Sequence, residues 1–255
     1  MANQKISVLT SLTGANIVVA DDVLPIVDTS AVATKKVSVA ELVKAAGLIP
    51  CVDSQVFDKA SGKGIKVDLT TPTYPWRDLI GEIVVRGTGA NDPTFDVYRG
   101  TLRQYSFGTS GVKECWNNFH IPHDHAPGTD IFVHAHWSCN VVPTGNVKWY
   151  FDVSYAKGHN QAAFPAPITT SIVQASSSTQ YQHLIAEVQL SAASPTGSQI
   201  STNLLEPDGV LIVRTYRDAA DAADTLNQAP FLHYVDVHYQ STGIGTKQKA
   251  PAFYT

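Results

Sequence analysis

Residues after about position 78 fall into short stretches in which apolar and polar side chains alternate. Between Val147 and Tyr155 the odd positions are apolar, while Lys148, Asp152 and Ser154 lie between them. Such alternation places one set of side chains on a core-facing side of a strand. Further strands are predicted at 80–86, 95–107, 131–142, 182–190, 210–216 and 231–239. Because Gly, Pro, Asn and Asp separate them, the pattern predicts a mainly β fold with a large, jelly-roll-like antiparallel β-sandwich over residues 78–255.

The first fifty residues have a different character, because they contain no aromatic side chain. Ser38 and Glu41 match a capping box and predict one short helix that ends before Gly47. The apolar side of this helix carries Val39, Leu42, Val43 and Ala46. A helix this short is unstable alone in water. We therefore expect residues 1–50 to be an attachment module that docks on another protein through this helix and the Val18 to Ile26 stretch.

Residues 51–77 separate this module from the predicted sandwich. The turn-forming segment 60–64 predicts a short hairpin, and Pro72 and Pro75 interrupt any longer regular element. The expected organisation is therefore a module at 1–50, a connector at 51–77 and a sandwich at 78–255.

Charge and composition exclude several classes of partner. Lys and Arg total 18 against 22 Asp and Glu, so the net charge of −4 argues against nucleic-acid binding. No apolar run in the N-terminal region approaches the about 20 residues that span a bilayer, so we expect no membrane insertion. The three cysteines show no CxxC spacing, which argues against a disulfide framework or a zinc knuckle.

Histidines are concentrated in one segment, with five of the nine between His120 and His136. On a strand, His134 and His136 share a side with Phe132, opposite the apolar core-facing side. Imidazoles two residues apart are well placed to bind a transition metal, and three copies around a threefold axis would supply six nitrogens. The alternative is that these rings bond loop carbonyls or face solvent, and no cofactor is then required.

The same segment raises an enzyme hypothesis. Gly128 precedes His134-x-His136 by the spacing of the opening of the cupin metal motif. The glutamate that should follow is absent, and two ligands without a third do not make a catalytic metal site. No Gly-x-Ser-x-Gly elbow occurs either. We therefore expect no catalytic residues, with a cupin-like metalloenzyme as the alternative from a different class.

Three other polar groups have structural interpretations. Asp218, Asp221 and Asp224 form an acidic turn that fits Ca²⁺ or, more simply, backbone capping. His233 is expected on the apolar side of its strand as a buried, hydrogen-bonded residue. His238 and Asp236 share the opposite side of that strand.

Several segments together resemble virion proteins of tailed bacteriophages. The runs Ile6 to Asp28 and Thr34 to Leu42 resemble the head-proximal segments of phage fibre and spike proteins. The rest is similar to a family of phage structural proteins through Trp76 to Gly81, Val97 to Gly100, His120 to Trp137, Tyr155 to Gln161 and the ending His238 to Pro251. The resemblance implies a virion protein without enzymatic activity, assembled in the bacterial cytoplasm. Tail fibre, head spike and capsid decoration all remain open.

The resemblance also implies partners. Phage fibres and spikes are usually homotrimers, and residues 1–50 would attach the trimer to capsid, portal or tail proteins. The exposed β domain would then be available to a host surface receptor. Threefold packing is expected to bury one outward side that carries Phe132, His134, His136 and Tyr150.

Overall fold

A computed structural model describes residues 73–87 and 89–246, together with strands at 23–28, 33–38, 55–59 and 65–67. Backbone contacts divide the chain into two compact units, Met1–Val52 and Asp53–Thr255. In the described part of the chain, no helix is long and apolar enough to cross a membrane.

The first unit contains an antiparallel hairpin of β1 (Val23–Asp28) and β2 (Ala33–Ser38). This hairpin was not predicted, because a short apolar run fits a strand and a helix equally well. Ser38, the expected start of the helix, is the last residue of β2, and Ile26 lies in β1. The other expected attachment residues lie outside the described residues: Val18, Val39, Leu42 and Val43.

The second unit is a β-sandwich, which confirms the predicted fold class. The strands of its larger sheet are β3 (Gln55–Lys59), β4 (Ile65–Val67), β5 (Trp76–Gly81), β6 (Thr94–Arg99), β7 (Leu102–Ser106), β9 (Phe132–Ser138), β12 (Leu184–Gln189), β16 (Phe231–Gln240) and β17 (Ile244–Thr246). They have the main order β12-β9-β16-β5-β17-β3-β4, and a β6–β7 hairpin joins this sheet because β7 pairs with β16. Its pairs are antiparallel except for β17 with β3.

The strands of the smaller sheet are β8 (Val112–His120), β10 (Asn146–Ala156), β11 (Ile168–Ala175) and β15 (Val210–Asp218). This sheet is antiparallel and has the order β11-β10-β15-β8. Two short strands, β13 (Ser191–Ala192) and β14 (Ile200–Ser201), pair in parallel and precede one turn of 3-10 helix at Thr202–Leu204. Neither β8 nor β11 was predicted, since polar residues interrupt β8 and a run of Ser and Thr surrounds β11.

The core lies between the two sheets. Trp149 and Phe151 on β10 are fully buried, as the alternation predicts, and they join Val133 and Trp137 from β9 in one apolar cluster. Burying a large apolar side chain contributes about 1.5–3 kcal/mol. The indole nitrogen of Trp137 also donates a 2.6 Å hydrogen bond to Gln174 on β11, which links the two sheets.

Residues of the expected connector belong to the larger sheet. β3 and β4 form the predicted hairpin, with Lys59 opposite Ile65 across the turn. β3 then pairs with β17, which is close to the other end of the unit in sequence. The segment 51–77 thus contributes β3, β4 and the start of β5 to the sandwich.

Candidate metal centre

The histidine pair of β9 lies on the side of the larger sheet that faces away from the core. Val133, Ala135 and Trp137 belong to the core cluster, so His134 and His136 project from the opposite side, as the strand period predicts. Pairing of β9 with β16 sets Asp236 opposite His134, and pairing with β12 sets Glu187 opposite the same residue. We call His134, His136 and Asp236 the central triad.

Asp236 supplies the carboxylate that the sequence did not reveal beside the histidine pair. Its Oδ1 lies 3.3 Å from Nδ1 of His134, and its Oδ2 lies 3.2 Å from Nε2 of His136. One ligand atom from each member lies within 4.8 Å of the other two. Three potential metal ligands therefore converge within a single chain.

The central triad is buried. His134 is 3% exposed, His136 is 5% exposed and Asp236 is 2% exposed. We expected the pair to lie on an outward side of the sheet that is buried only where three chains meet. Neighbouring side chains of the same chain cover the rings instead, because a sheet face lined with long side chains hides the groups between them.

The outer nitrogens of the two rings have hydrogen-bond partners. Nε2 of His134 is 2.7 Å from Oε2 of Glu187, and Nδ1 of His136 is 2.8 Å from Nε2 of His183. Tyr234 stacks on the ring of His136 with centroids 4.0 Å apart. These contacts fix the orientation of both rings.

The inner atoms of the central triad have no hydrogen-bond partner. Nδ1 of His134, Nε2 of His136 and Oδ1 of Asp236 are buried polar atoms without one. A buried polar group without a hydrogen bond costs about 1–3 kcal/mol, and more when it is charged. Three unsatisfied buried groups this close together therefore fit a binding site better than a completed structural network.

His238 and Asp78 extend the cluster beyond the central triad. The rings of His134 and His238 have centroids 3.9 Å apart, and Nε2 of His238 contacts Asp78. Burial raises the pKa of Asp78, but the hydrogen bond and charge of His238 outweigh it, and the net pKa is lowered. Further possible ligand groups are His134 with Glu187 and His238, and Asp78 with Asp236 and His238.

His233 lies on a different side of β16 from the one expected. A register shift between Leu232 and Tyr234 is a β-bulge, so the simple alternation that would place His233 with Val235 fails there. Its Nε2 is 2.8 Å from the hydroxyl of Ser138, which is the expected structural hydrogen bond. Burial, followed by the nearby His183 and His136, lowers the pKa of His233 to about 4.

The histidines between His120 and His136 do not all belong to one site. His120 and His123 contact Asp208 at 3.0 and 3.2 Å, and His159 contacts its other oxygen at 2.8 Å. All three rings are more than half exposed. The hydrogen bond from His159 lowers the pKa of Asp208 most, followed by the other two histidines. We call these four residues the Asp208 cluster.

Tyr150 does not share a side with the histidine pair, contrary to expectation. Phe132 packs edge-to-face on Trp76, with centroids 5.7 Å apart, on the larger sheet. Tyr150 is on β10 of the smaller sheet, where it stacks on Tyr216 with centroids 4.7 Å apart. A single threefold interface along one face of the sandwich therefore does not contain both Phe132 and Tyr150, because they lie on opposite sheets.

The acidic turn has protein partners for each carboxylate. Asp218 caps the amide of Ala220, and Asp221 accepts hydrogen bonds from Lys148 and Tyr150. Asp224 pairs with Arg217. Asp218 therefore acts as the expected backbone cap, while side-chain donors hold Asp221 and the buried Arg217 holds Asp224.

Comparisons with known proteins give structural similarities only. No family model and no curated protein matches the sequence. TmCBM61 in complex with β-1,4-galactotriose is 13% identical with a TM-score of 0.29, and the match covers 65% of this chain and 89% of that one. The family 11 carbohydrate-binding module from Clostridium thermocellum, in complex with a mixed-linked tetrasaccharide, is 13% identical with a TM-score of 0.31 over 68% of this chain and 93% of that one. Dimeric latent PorU from Porphyromonas gingivalis is 12% identical with a TM-score of 0.29 over 86% of this chain and 18% of that one.

Proposed function

We propose that the protein is a non-enzymatic structural component of a tailed-phage virion. Residues 1–52 attach a homotrimer to capsid, portal or tail proteins, and the β-sandwich is exposed on the particle, where it can contact the host surface. The observation that carries the proposal is the division into a small unit, Met1–Val52, and a sandwich with its own core at Asp53–Thr255. That division matches the attachment and display roles that the resemblance to phage fibre and spike proteins implies.

The burial of the central triad supports the proposal that the protein is not an enzyme. A catalytic metal needs an open coordination position that a substrate can reach. All three members of the central triad are at most 5% exposed. Among the described residues, no serine, threonine or cysteine is in hydrogen-bond contact with the triad. The alternative is a cupin-like metalloenzyme, for which Asp236 would provide the third metal ligand. Under that alternative, the metal-loaded protein would turn over a substrate.

Association into a trimer is supported by apolar side chains left exposed on one chain. Ile80 on β5 is 71% exposed and Leu102 at the start of β7 is 63% exposed. Phe95 and Val97 on β6 are also exposed. Exposed apolar groups on neighbouring strands are typical of surfaces that contact another protein. Repeated copies on a trimer would convert weak contacts with a host into avidity.

Localisation of the protein on intact particles tests the proposal. Antibodies raised against residues 53–255 should label purified virions at the particle surface. Labelling at the tail or at a vertex would identify a fibre or spike, while labelling over the whole capsid would identify the decoration-protein alternative. The proposal is wrong if the protein is absent from purified virions and remains free in the lysate.

A further inference from the structure

We propose that the central triad of His134, His136 and Asp236 binds one divalent transition-metal ion within each chain. The site goes beyond the proposed virion role, and it does not require three chains to meet. Zn²⁺ is the ion that we assign to it, because two imidazoles and one carboxylate are ordinary zinc ligands.

The distances between the ring nitrogens and the carboxylate oxygens of the central triad fit metal coordination better than they fit hydrogen bonds. Charge-assisted N–H···O bonds measure about 2.7–2.9 Å. The two contacts between Asp236 and the rings are 3.3 and 3.2 Å, and neither counts as a hydrogen bond. Ligand atoms at about 2.0–2.1 Å from a tetrahedral ion stand about 3.3 Å apart, which is close to the distance from each ring nitrogen to its nearer oxygen of Asp236.

Protonation of the outer nitrogens leaves the inner nitrogens available as ligands. Glu187 accepts a hydrogen bond from Nε2 of His134, so Nδ1, which faces Asp236, is the ring atom that is left for a metal. A ring nitrogen and a carboxylate oxygen facing each other need a proton or a metal cation between them. A metal-binding histidine that donates its other N–H to a carboxylate is the usual arrangement around protein-bound metals.

Burial makes a cation at this spot favourable. Asp236 is 2% exposed, and among the described residues its ion-pair partners are only the two rings. An ionised carboxylate removed from water is costly unless a positive charge compensates it. Zn²⁺ would provide that charge and would satisfy all three unpartnered atoms at once.

The site would act as a structural cross-link between neighbouring strands. His134 and His136 belong to β9 and Asp236 belongs to β16, so the ion would hold two central strands of the larger sheet together. His238, whose Nδ1 is also buried without a hydrogen-bond partner, lies beside His134, with ring centroids 3.9 Å apart. Metal binding would therefore raise thermal stability rather than create activity.

Metal titration of the full-length protein tests the proposal. After treatment with a chelator and its removal, we expect calorimetry to show one Zn²⁺ bound per chain and the melting temperature to rise on addition of Zn²⁺. Substitutions Asp236→Asn and His136→Gln should weaken binding at least tenfold. Glu187→Gln should weaken it by about 10- to 100-fold through loss of ring orientation. His123→Gln, in the Asp208 cluster, is the matched control and should bind like the unmodified protein.

Co²⁺ provides a readout that does not depend on whether a variant folds. Bound to the unmodified protein in place of Zn²⁺, it should give the visible absorption of a tetrahedral nitrogen- and oxygen-ligated ion. Zn²⁺ should displace it with the loss of that absorption. The proposal is overturned if the unmodified protein takes up neither ion. It is equally overturned if folded Asp236→Asn and His136→Gln variants retain full affinity while Asp208→Asn abolishes it.

Discussion

Arg217 and Asp224 form a two-point ion pair inside the sandwich. Nε of Arg217 is 2.9 Å from one carboxylate oxygen, and a terminal nitrogen is 2.8 Å from the other. The remaining donors of the guanidinium bond backbone carbonyls of Phe107, Gly108, Leu226 and Gln228. The pair thus ties the end of β15 to the loops that follow β7 and β15.

Substitution of Arg217 should destabilise the fold strongly. Arg217→Met leaves Asp224 charged and buried, together with several carbonyls that lose their donors, so we expect a loss of about 3–5 kcal/mol in the free energy of unfolding. Arg103→Met is the control, because Arg103 is exposed and makes one long bond of 3.5 Å. It should change stability by less than about 0.5 kcal/mol. Urea unfolding measures both, and equal losses would show that the buried pair has no special role.

Gly145 cannot carry a side chain without a shift of the backbone. Its φ is +95°, and a Cβ there would overlap the carbonyl oxygen of Thr225. Gly100 also has a positive φ, of +61°, but has open space around it. We expect Gly145→Ala to lower the unfolding midpoint clearly more than Gly100→Ala, because only the first adds a steric clash to the backbone strain. Similar midpoints would contradict the clash.

His233 should make the protein less stable in mild acid. Its pKa is about 4 in the folded state against 6.5 ordinarily. Above pH 6.5 neither state binds the proton, so His233 contributes nothing to the pH dependence there. Between pH 6.5 and 4 the unfolded chain takes up a proton that the folded protein does not, so stability falls as the pH is lowered.

The variant His233→Gln should reduce that loss of stability between pH 6.5 and 4. Urea midpoints in the presence of a chelator measure the slope without interference from bound metal. Ser138→Ala is the control, since it removes the hydrogen bond to His233 but keeps the titrating ring. It should lower stability across the range and keep the slope. An unchanged slope in His233→Gln would mean that another group is responsible.

The proposed trimer predicts a measurable mass. Light scattering of the intact protein should give three times the chain mass of 27.4 kDa. If the exposed apolar strands form the interface, Ile80→Lys and Leu102→Lys should shift the mass towards that of one chain. Val142→Lys changes a residue that is 59% exposed in the loop after β9 and should leave the trimer intact. A monomeric mass for the unmodified protein would refute the trimer.

The strand period alone was sufficient to place the histidine pair on the side of β9 away from the core. It did not reveal Asp236 as their partner, because that contact depends on which strands pair and in what register. The β9–β16 pairing joins segments remote in the sequence, and nothing in the local pattern of either strand specifies it.

Other errors have equally local physical causes. A β-bulge reversed the side expected for His233, and bulges leave little trace in a single sequence. Tyr150 and Phe132 occupy equivalent positions in the alternating patterns of their strands, but β10 and β9 belong to different sheets. The partners of the acidic turn could not be predicted either, because Arg217 reaches Asp224 only when the loop between them folds back.

Incorporation into virions is the most direct test of the attachment role of residues 1–52. Particles should be produced with the full-length chain or with residues 53–255 alone, and the copy number of each in purified virions should be measured by quantitative mass spectrometry. Circular dichroism must first show that the shorter chain retains its β structure. We predict that the full-length chain is incorporated and that folded 53–255 is lost from particles. Incorporation of 53–255 at the normal copy number would contradict the account.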